Sequence, residues 1–344
     1  MNDELTMILL IQKDSYNRIL CITLAMSASS TEFKISPHIA RLQRGLVLRA
    51  NSVLITVYGD VMAGRGQTVW LGSLIQLAGL FGLSARLVRT SAFRLAADDW
   101  LSCTRLGRRS FYGLTDAGLQ RVQHAEQRIY DFKLPKWDGR WTLVMVASGL
   151  PASMRLHLKR ELRWEGFGEL SPNLLAHPHA SHTSLKDIIQ AAGAVDKVMV
   201  LSAESLAGYS AKPLQTVMHA TFKLDDVEKA FKQFVARFEP LLQPATSLSP
   251  AEAFFVRTLL IHEYRKVLLR DPNVPQALLP VSWSGLDARQ LCEALYARLL
   301  PSSEAFLLAH VETLDGQLAK APRRLAKRLA DNRQQHASNT PESL

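Results

Sequence analysis

Two short stretches hold the residues whose types and spacing point most plainly to a chemistry. In "SARLVRTSAFRLAADDW", Arg86, Arg89, Thr90 and Phe93 recur at helical spacing; in "RLGRRSFYGLT", Arg108 and Arg109 follow Gly107. A guanidinium is a planar fork of donors that matches phosphate oxygens or a guanine edge. A threonine methyl or a phenylalanine ring can touch a thymine methyl. Gly107 permits a tight hairpin turn, which carries both following arginines to an exposed tip. A tip charge gains little from the fold, and exposed loops carry function more often than stability.

Elements must position these groups. The spacing predicts a helix over 84–100, capped by Ser84, with Leu87, Val88, Ser91 and Leu95 on its inner face. The arginines, Thr90 and Phe93 then face outward. A helix over 52–62 and a second over 72–81, ended by Gly82, precede it, with a short strand over 67–71 between them. Strands over 101–106 and 110–114 flank the glycine turn, and Thr115 caps a further helix. This order is that of a winged helix-turn-helix, in which the third helix reads a major groove and the hairpin reaches the backbone beside it. Between Leu46 and Asp131 there are ten arginines, no lysine and six acids, a net of +4. A solvated face is the better reading for any one of these charges, but not for four that converge on one motif.

The whole chain points the same way. It has 344 residues, enough for two or three domains, and a formal charge of +10. That balance favours nucleic acid, an anionic surface or an acidic ligand as partner. Cys21, Cys103 and Cys292 form no metal spacing and no disulfide framework, consistent with a reducing compartment. No apolar run reaches the ~18 residues of a membrane span. Residues 1–25 carry no cap or pattern that the rest needs and read as an over-extended start or a disordered leader. "PKWDG" is a linker, after which strand and helix alternate in an α+β unit through Ser202. Helices follow over 225–242, 249–269, 288–299 and 303–313, the second opening with the capping signature "SPAE". His177, His179 and His182 in "HPHASH" fit no standard zinc framework and read as a surface loop.

The chain from about Val47 to Leu300 resembles the PaaX-type repressors of phenylacetic acid catabolism. "VYGDVMAGRGQTVWLGSLIQLAGLFGLSARLVRTSAFRLAADDWLSCTRLGRRSFYGLTDAGLQR", "IYDFKLPKWDGRWTLVMV", "ELRWEGFGELSPNLLAHP" and "RTLLIHEYRKVLLRDPNVPQALLPVSWSGLDARQLCEALY" carry the likeness. It implies a cytoplasmic homodimer on palindromic double-stranded operator DNA, released by phenylacetyl-CoA. It also implies a central ferredoxin-like domain similar to a small CRISPR-associated nuclease. A nuclease would need a carboxylate at the end of its first strand to hold a metal. Here that strand ends Val146-Ala147-Ser148, and Asp138 lies at its other end, so the nuclease is the weaker alternative. No catalytic residue, metal or resident cofactor is expected.

For an acyl-CoA effector, basic groups near an aromatic slot are needed. "IHEYRKVLLRDP" and the tryptophan after it offer His262, Tyr264, Arg265, Arg270 and Trp283, although a packed helix with a satisfied histidine is the competing reading. The expected organisation is α+β and multidomain: a leader over 1–45, a winged helix-turn-helix over 46–134, a ferredoxin-like dimerisation and coupling domain over 135–222, a helical effector and dimerisation domain over 223–315, and a disordered basic tail over 316–344.

Overall fold

Helix ends follow local chemistry. The Ser84 side chain accepts from Leu87 N and opens α3, Ala85–Ala97. Ahead of it, Gly82 at φ +72° ends the turn that follows α2, Leu71–Gly79. The computed structural model describes residues 36, 39, 41–42, 44–130, 137–147, 149–178, 180–204, 219–220, 222–271, 274–280 and 282–321. The first helix, α1 over Ala50–Val57, runs on into a π-helical turn, Tyr58–Met62, rather than continuing as regular α-helix to Met62. β1 is Val69–Trp70, and β2, Leu101–Leu106, pairs with β3, Arg109–Leu114, in six register pairs across Gly107 at φ +58°. The Thr115 hydroxyl accepts from Gly118 N and opens α4, Asp116–Tyr130.

The central unit runs β4 Arg140–Val146, α5 Ala152–Trp164, β5 Gly168–Ser171, β6 Leu174–His177, α6 His182–Ala191 and β7 Val198–Glu204. Its antiparallel strand order, β5-β6-β4-β7, with this βαββαβ connectivity is the ferredoxin-like arrangement. Leu158 and Leu162 of α5 and Leu185 and Ile189 of α6 pack with Val144, Val146 and Leu175 in a separate core. By strand alternation Leu143 and Met145 face the other way, opposite Leu201 and Met199 of β7.

Three helices follow: α7 Leu224–Phe238, α8 Pro250–Leu268 and α9 Ser284–His310. Ser249, Pro250 and Glu252 form the expected capping box with proline in the first turn. The two helices expected over 288–299 and 303–313 are one. Pro301 lies inside α9, and burial of Leu299, Ser303 and Leu307 carries the helix across it.

The larger core reaches across the expected winged and C-terminal domains. One cluster takes in Ile39 and Leu42, then Val53, Leu54, Leu74, Val88 and Leu95, then Phe254, Leu259, Leu291, Leu295 and Leu318. The first four helices and the last three therefore share an interior instead of forming separate bodies. Ile39 and Leu42, assigned to a leader, are buried, and Arg237 donates to the carbonyls of Leu42 and Arg44. At the other end β8, Glu312–Thr313, and β9, Gly316–Gln317, extend the first sheet to the order β2-β3-β1-β8-β9. Residues 316–321 are thus part of the fold, not of a free tail; residues 1–35 and 322–344 lie outside the described residues.

Candidate nucleic-acid interface

α3 has two unlike faces. Val88, Ser91, Ala92 and Leu95 are buried, and they anchor the helix in the larger core. Arg86, Arg89, Thr90 and Phe93 are exposed, Phe93 to 70 %. Leu87, expected on the inner face, is half exposed, because Ala92 rather than Leu87 completes the buried stripe. The Thr90 hydroxyl donates to Arg86 O, which leaves its methyl free to face outward. Among the described residues no carboxylate lies within ion-pair distance of Arg86, Arg89 or Arg94. Arg94 is exposed on the same surface and is not among the residues singled out in the sequence, although its spacing of four from Thr90 and eight from Arg86 is the signal that would have found it.

At the hairpin the two arginines differ. Arg108 is exposed at the tip with no carboxylate partner among the described residues. Arg109 forms an ion pair with Glu312 of β8 and lies over the Trp70 ring, 4.5 Å from its centroid. Its charge is half balanced and its position fixed from two sides. Arg105 is a further exposed arginine, one strand away, in register with Ser110.

The groups expected to bind an effector do not converge. α8 is buried on nearly all sides, so its spacing defined no outward face. Tyr264 is buried against Phe234, with ring centroids 5.3 Å apart, and Trp283 is buried against Phe231. Arg270 is exposed past the end of the helix. His262 is 1 % exposed, and its Nδ1 is 3.0 Å from the Thr56 hydroxyl. That hydroxyl donates to Ser52 O, so the histidine nitrogen must be the donor here. Burial, then Lys266 and Arg265, push the His262 pKa down to about 3. It is a neutral packing residue of the α1–α8 contact. Arg265 lines the cleft between α1, α4 and α8.

Beside that cleft lies a buried ionic cluster that the sequence did not disclose. Arg257 of α8 is fully buried and faces Asp60 of the π-helical turn, Nε to Oδ2 at 2.9 Å, an ionic contact rather than an aligned hydrogen bond. Its other nitrogens donate to Glu304, Ser303 and Tyr296. Tyr130 and Tyr296 donate to Asp60 Oδ1, and Glu304 also pairs with Arg65. Burial opposes the Arg257 charge, but Asp60, Tyr296 and Glu304 more than offset it and raise its pKa.

In the central unit the expected carboxylate lies away from the end of β4. Asp138 precedes β4, and its Oδ1 accepts from Arg140 N in a turn. His177 is buried in β6 beside Phe167, and His182 begins α6; His179 lies outside the described residues. No group of three metal-ligating side chains occurs among the described residues.

Fold and site together define a class: a basic, multidomain α+β protein that turns an arginine-rich helix and hairpin outward from its larger core. Residues 49–118 match the family described as PaaX-like protein, residues 134–216 the PaaX protein central Cas2-like domain, and residues 222–309 the PaaX-like protein C-terminal domain. The chain is 37% identical over 289 residues to the transcriptional repressor PaaX of Escherichia coli (strain K12), spanning 83% of this chain and 91% of that one. The chain belongs to the PaaX family. Among solved structures, the uncharacterized protein Rv0674 from Mycobacterium tuberculosis aligns with a TM-score of 0.48 and 23% identity, over 74% of this chain and 98% of that one.

Proposed function

We propose that this protein is a DNA-binding transcriptional repressor of phenylacetate catabolism genes. α1, α2 and α3 with the β2–β3 hairpin act as a winged helix-turn-helix: α3 lies in the major groove and the hairpin tip on the flanking backbone. The observation that carries this reading is the split of α3. One face is buried in the core, while Arg86, Arg89, Thr90 and Phe93 stand exposed with no carboxylate on either of these two arginines among the described residues. A packing helix also turns polar residues to solvent, but two arginines with no carboxylate against them among the described residues, beside a phenylalanine 70 % exposed, are what a groove-reading helix would present. The family relative named as a transcriptional repressor supports the same reading.

The protein acts as a cytoplasmic homodimer on a palindromic operator. Met145, Met199 and Leu201 are exposed on the open face of the central sheet, and β7 is its edge strand, which supports the central unit as the dimer contact. No helix among the described residues is long and apolar enough to cross a membrane. Phenylacetyl-CoA is the proposed release signal; it binds the DNA-free state more tightly than the bound one. The protein performs no catalysis.

The test is a gel shift with the DNA upstream of the protein's own coding region. A discrete complex that phenylacetyl-CoA dissolves supports the reading. No complex, or degradation of the probe when Mg²⁺ is added, refutes it.

A further inference from the structure

Half of the chain's net charge of +10 sits in fourteen residues near its carboxy end. Lys320, Arg323, Arg324, Lys327, Arg328 and Arg333 stand against one acid, Asp331, a net of +5 between residues 320 and 333. So dense a run of like charge repels itself and is favoured where a polyanion neutralises it.

The fold fixes where this run begins. Gln317 of β9 is the register partner of Glu312, and Glu312 holds Arg109 beside the hairpin tip. Three strand spacings separate β9 from β3, about 14 Å. Leu318 is then buried in the larger core. At Ala319 the backbone is clamped on both sides. Its N–H donates to Gln67 Oε1 at 2.7 Å, and its carbonyl accepts from Arg65 Nε at 2.7 Å. Lys320, the first cation of the run, is exposed directly past this clamp. The root of the run therefore belongs to the same sheet as the hairpin.

Reach follows from covalent geometry. Arg323 is six residues past Gln317 and Arg328 eleven, spans of at most about 20 and 36 Å. Both exceed the separation of β9 from β3, so these cations can reach the backbone on which the hairpin tip lies. Charge decides what they reach for. The winged unit is itself +4 between Leu46 and Asp131, so it does not attract the run. Duplex DNA offers about one negative charge per 1.7 Å of axis. A lipid surface is the weaker candidate, because residues 320–344 hold no Phe, Tyr or Trp to seat in its interface.

We infer that residues 320–333 are a further phosphate-binding arm, rooted at the edge of the winged sheet and bound to the backbone of the same duplex that α3 reads. The inference rests on the DNA-binding reading above and adds a contact beyond the helix and the hairpin. Phosphates carry no sequence information, so the arm supplies affinity and leaves the choice of site to α3.

The experiment uses the full chain carrying Arg323→Gln, Arg324→Gln, Lys327→Gln and Arg328→Gln together. A second chain carries Arg323→Lys, Arg324→Lys and Arg328→Lys. Thermal melting by circular dichroism checks that both are folded. Binding to the DNA upstream of the coding region and to an unrelated duplex is read by fluorescence anisotropy at 50 to 300 mM salt. In the glutamine chain the slope of log affinity against log salt should fall by up to about 3.6 per protomer, at about 0.9 per lost contact. At about 100 mM salt its affinity should fall at least tenfold, by like factors on the two duplexes. The lysine chain should bind like the wild type. If the folded glutamine chain keeps the wild-type slope and affinity, the arm is refuted and the DNA-binding reading stands. A loss confined to the upstream DNA overturns the phosphate assignment. Loss of binding to vesicles of phosphatidylserine and phosphatidylcholine, with DNA binding unchanged, overturns it in favour of a membrane. If the wild type binds neither duplex, the DNA-binding reading fails and the arm falls with it.

Discussion

Removing Arg108 should lower the salt dependence of DNA binding, and removing its neighbour should not. Each arginine on a phosphate displaces condensed counterions, adding about 0.9 to the slope of log affinity against log salt. Arg108 is exposed at the tip and unpaired among the described residues, so Arg108→Ala should cost about 0.9 per protomer and about 1.8 for a dimer with two hairpins. Between 50 and 200 mM salt, a slope smaller by 1.8 means that the variant loses about twelvefold less affinity than the wild type. Arg109 is held by Glu312 and by the Trp70 ring, so Arg109→Ala should leave the slope nearly unchanged. Glu312→Gln releases that arginine and should raise the slope, by up to about 1.8 in the dimer. The fold should survive all three changes, because exposed ion pairs contribute about 0–1 kcal/mol. The assay is fluorescence anisotropy of labelled operator, titrated at salt concentrations from 50 to 300 mM. An unchanged slope for Arg108→Ala would remove the tip from the DNA. Equal losses for Arg108→Ala and Arg109→Ala would show that DNA pulls Arg109 off Glu312.

Four further outcomes are expected. Arg86→Ala or Arg89→Ala should weaken operator binding by about 1–3 kcal/mol and non-specific binding by less, read by competition with unrelated DNA; equal losses on both would mean phosphate contacts only. Arg257→Met leaves Asp60 buried without its cation and should lower stability by about 3–5 kcal/mol in urea denaturation; a loss under 1 kcal/mol would show that the two tyrosine hydroxyls alone sustain the carboxylate. His262 has its folded pKa depressed to about 3, so the unfolded chain takes the proton first. Its contribution is complete above pH 6.5 and is lost as pH falls toward 3, up to about 5 kcal/mol by linkage; His262→Asn should flatten stability over that window, and an unaltered pH profile would contradict it. A chain beginning at Met26 should melt like the full chain, whereas one beginning at Leu46 loses Ile39 and Leu42 from the core, about 1.5–3 kcal/mol each; equal melting temperatures for the two would refute the packing of that segment.

What could be read from the sequence was local. Gly107 needs a positive φ, Ser84 needs an amide three residues on, and "SPAE" closes its own capping box, so the hairpin, α3 and the start of α8 followed from neighbours alone. What could not be read depends on distant partners. Glu312 is 203 residues from Arg109, and Arg257 is 197 from Asp60, so neither the restraint on the hairpin nor the buried cluster left a trace in any short window. The effector candidates failed for a related reason. His262 offers a basic group and Tyr264 an aromatic lining by residue type and local position, but α8 is covered on almost every side, and neither reading shows whether a side chain faces outward. Arg265 differs in lining a cleft, whereas Arg257 on the same helix is fully buried against its carboxylates.

The added strands β8 and β9 have a consequence for how the protein comes into being. Chains leave the ribosome from the amino end, at about 5–20 residues per second, and domains generally fold as they emerge. In this protein the strand that flanks β1 is made about 240 residues after it, and the core that supports α3 also awaits α8 and α9. A nascent chain therefore carries α3 for tens of seconds before all of the core around it has been made. A polypeptide without these later elements lacks part of the core around α3, so prematurely terminated products should bind an operator more weakly. Ribosome-bound chains stalled before residue 312 should be cleaved by protease within α3, and full-length chains should not.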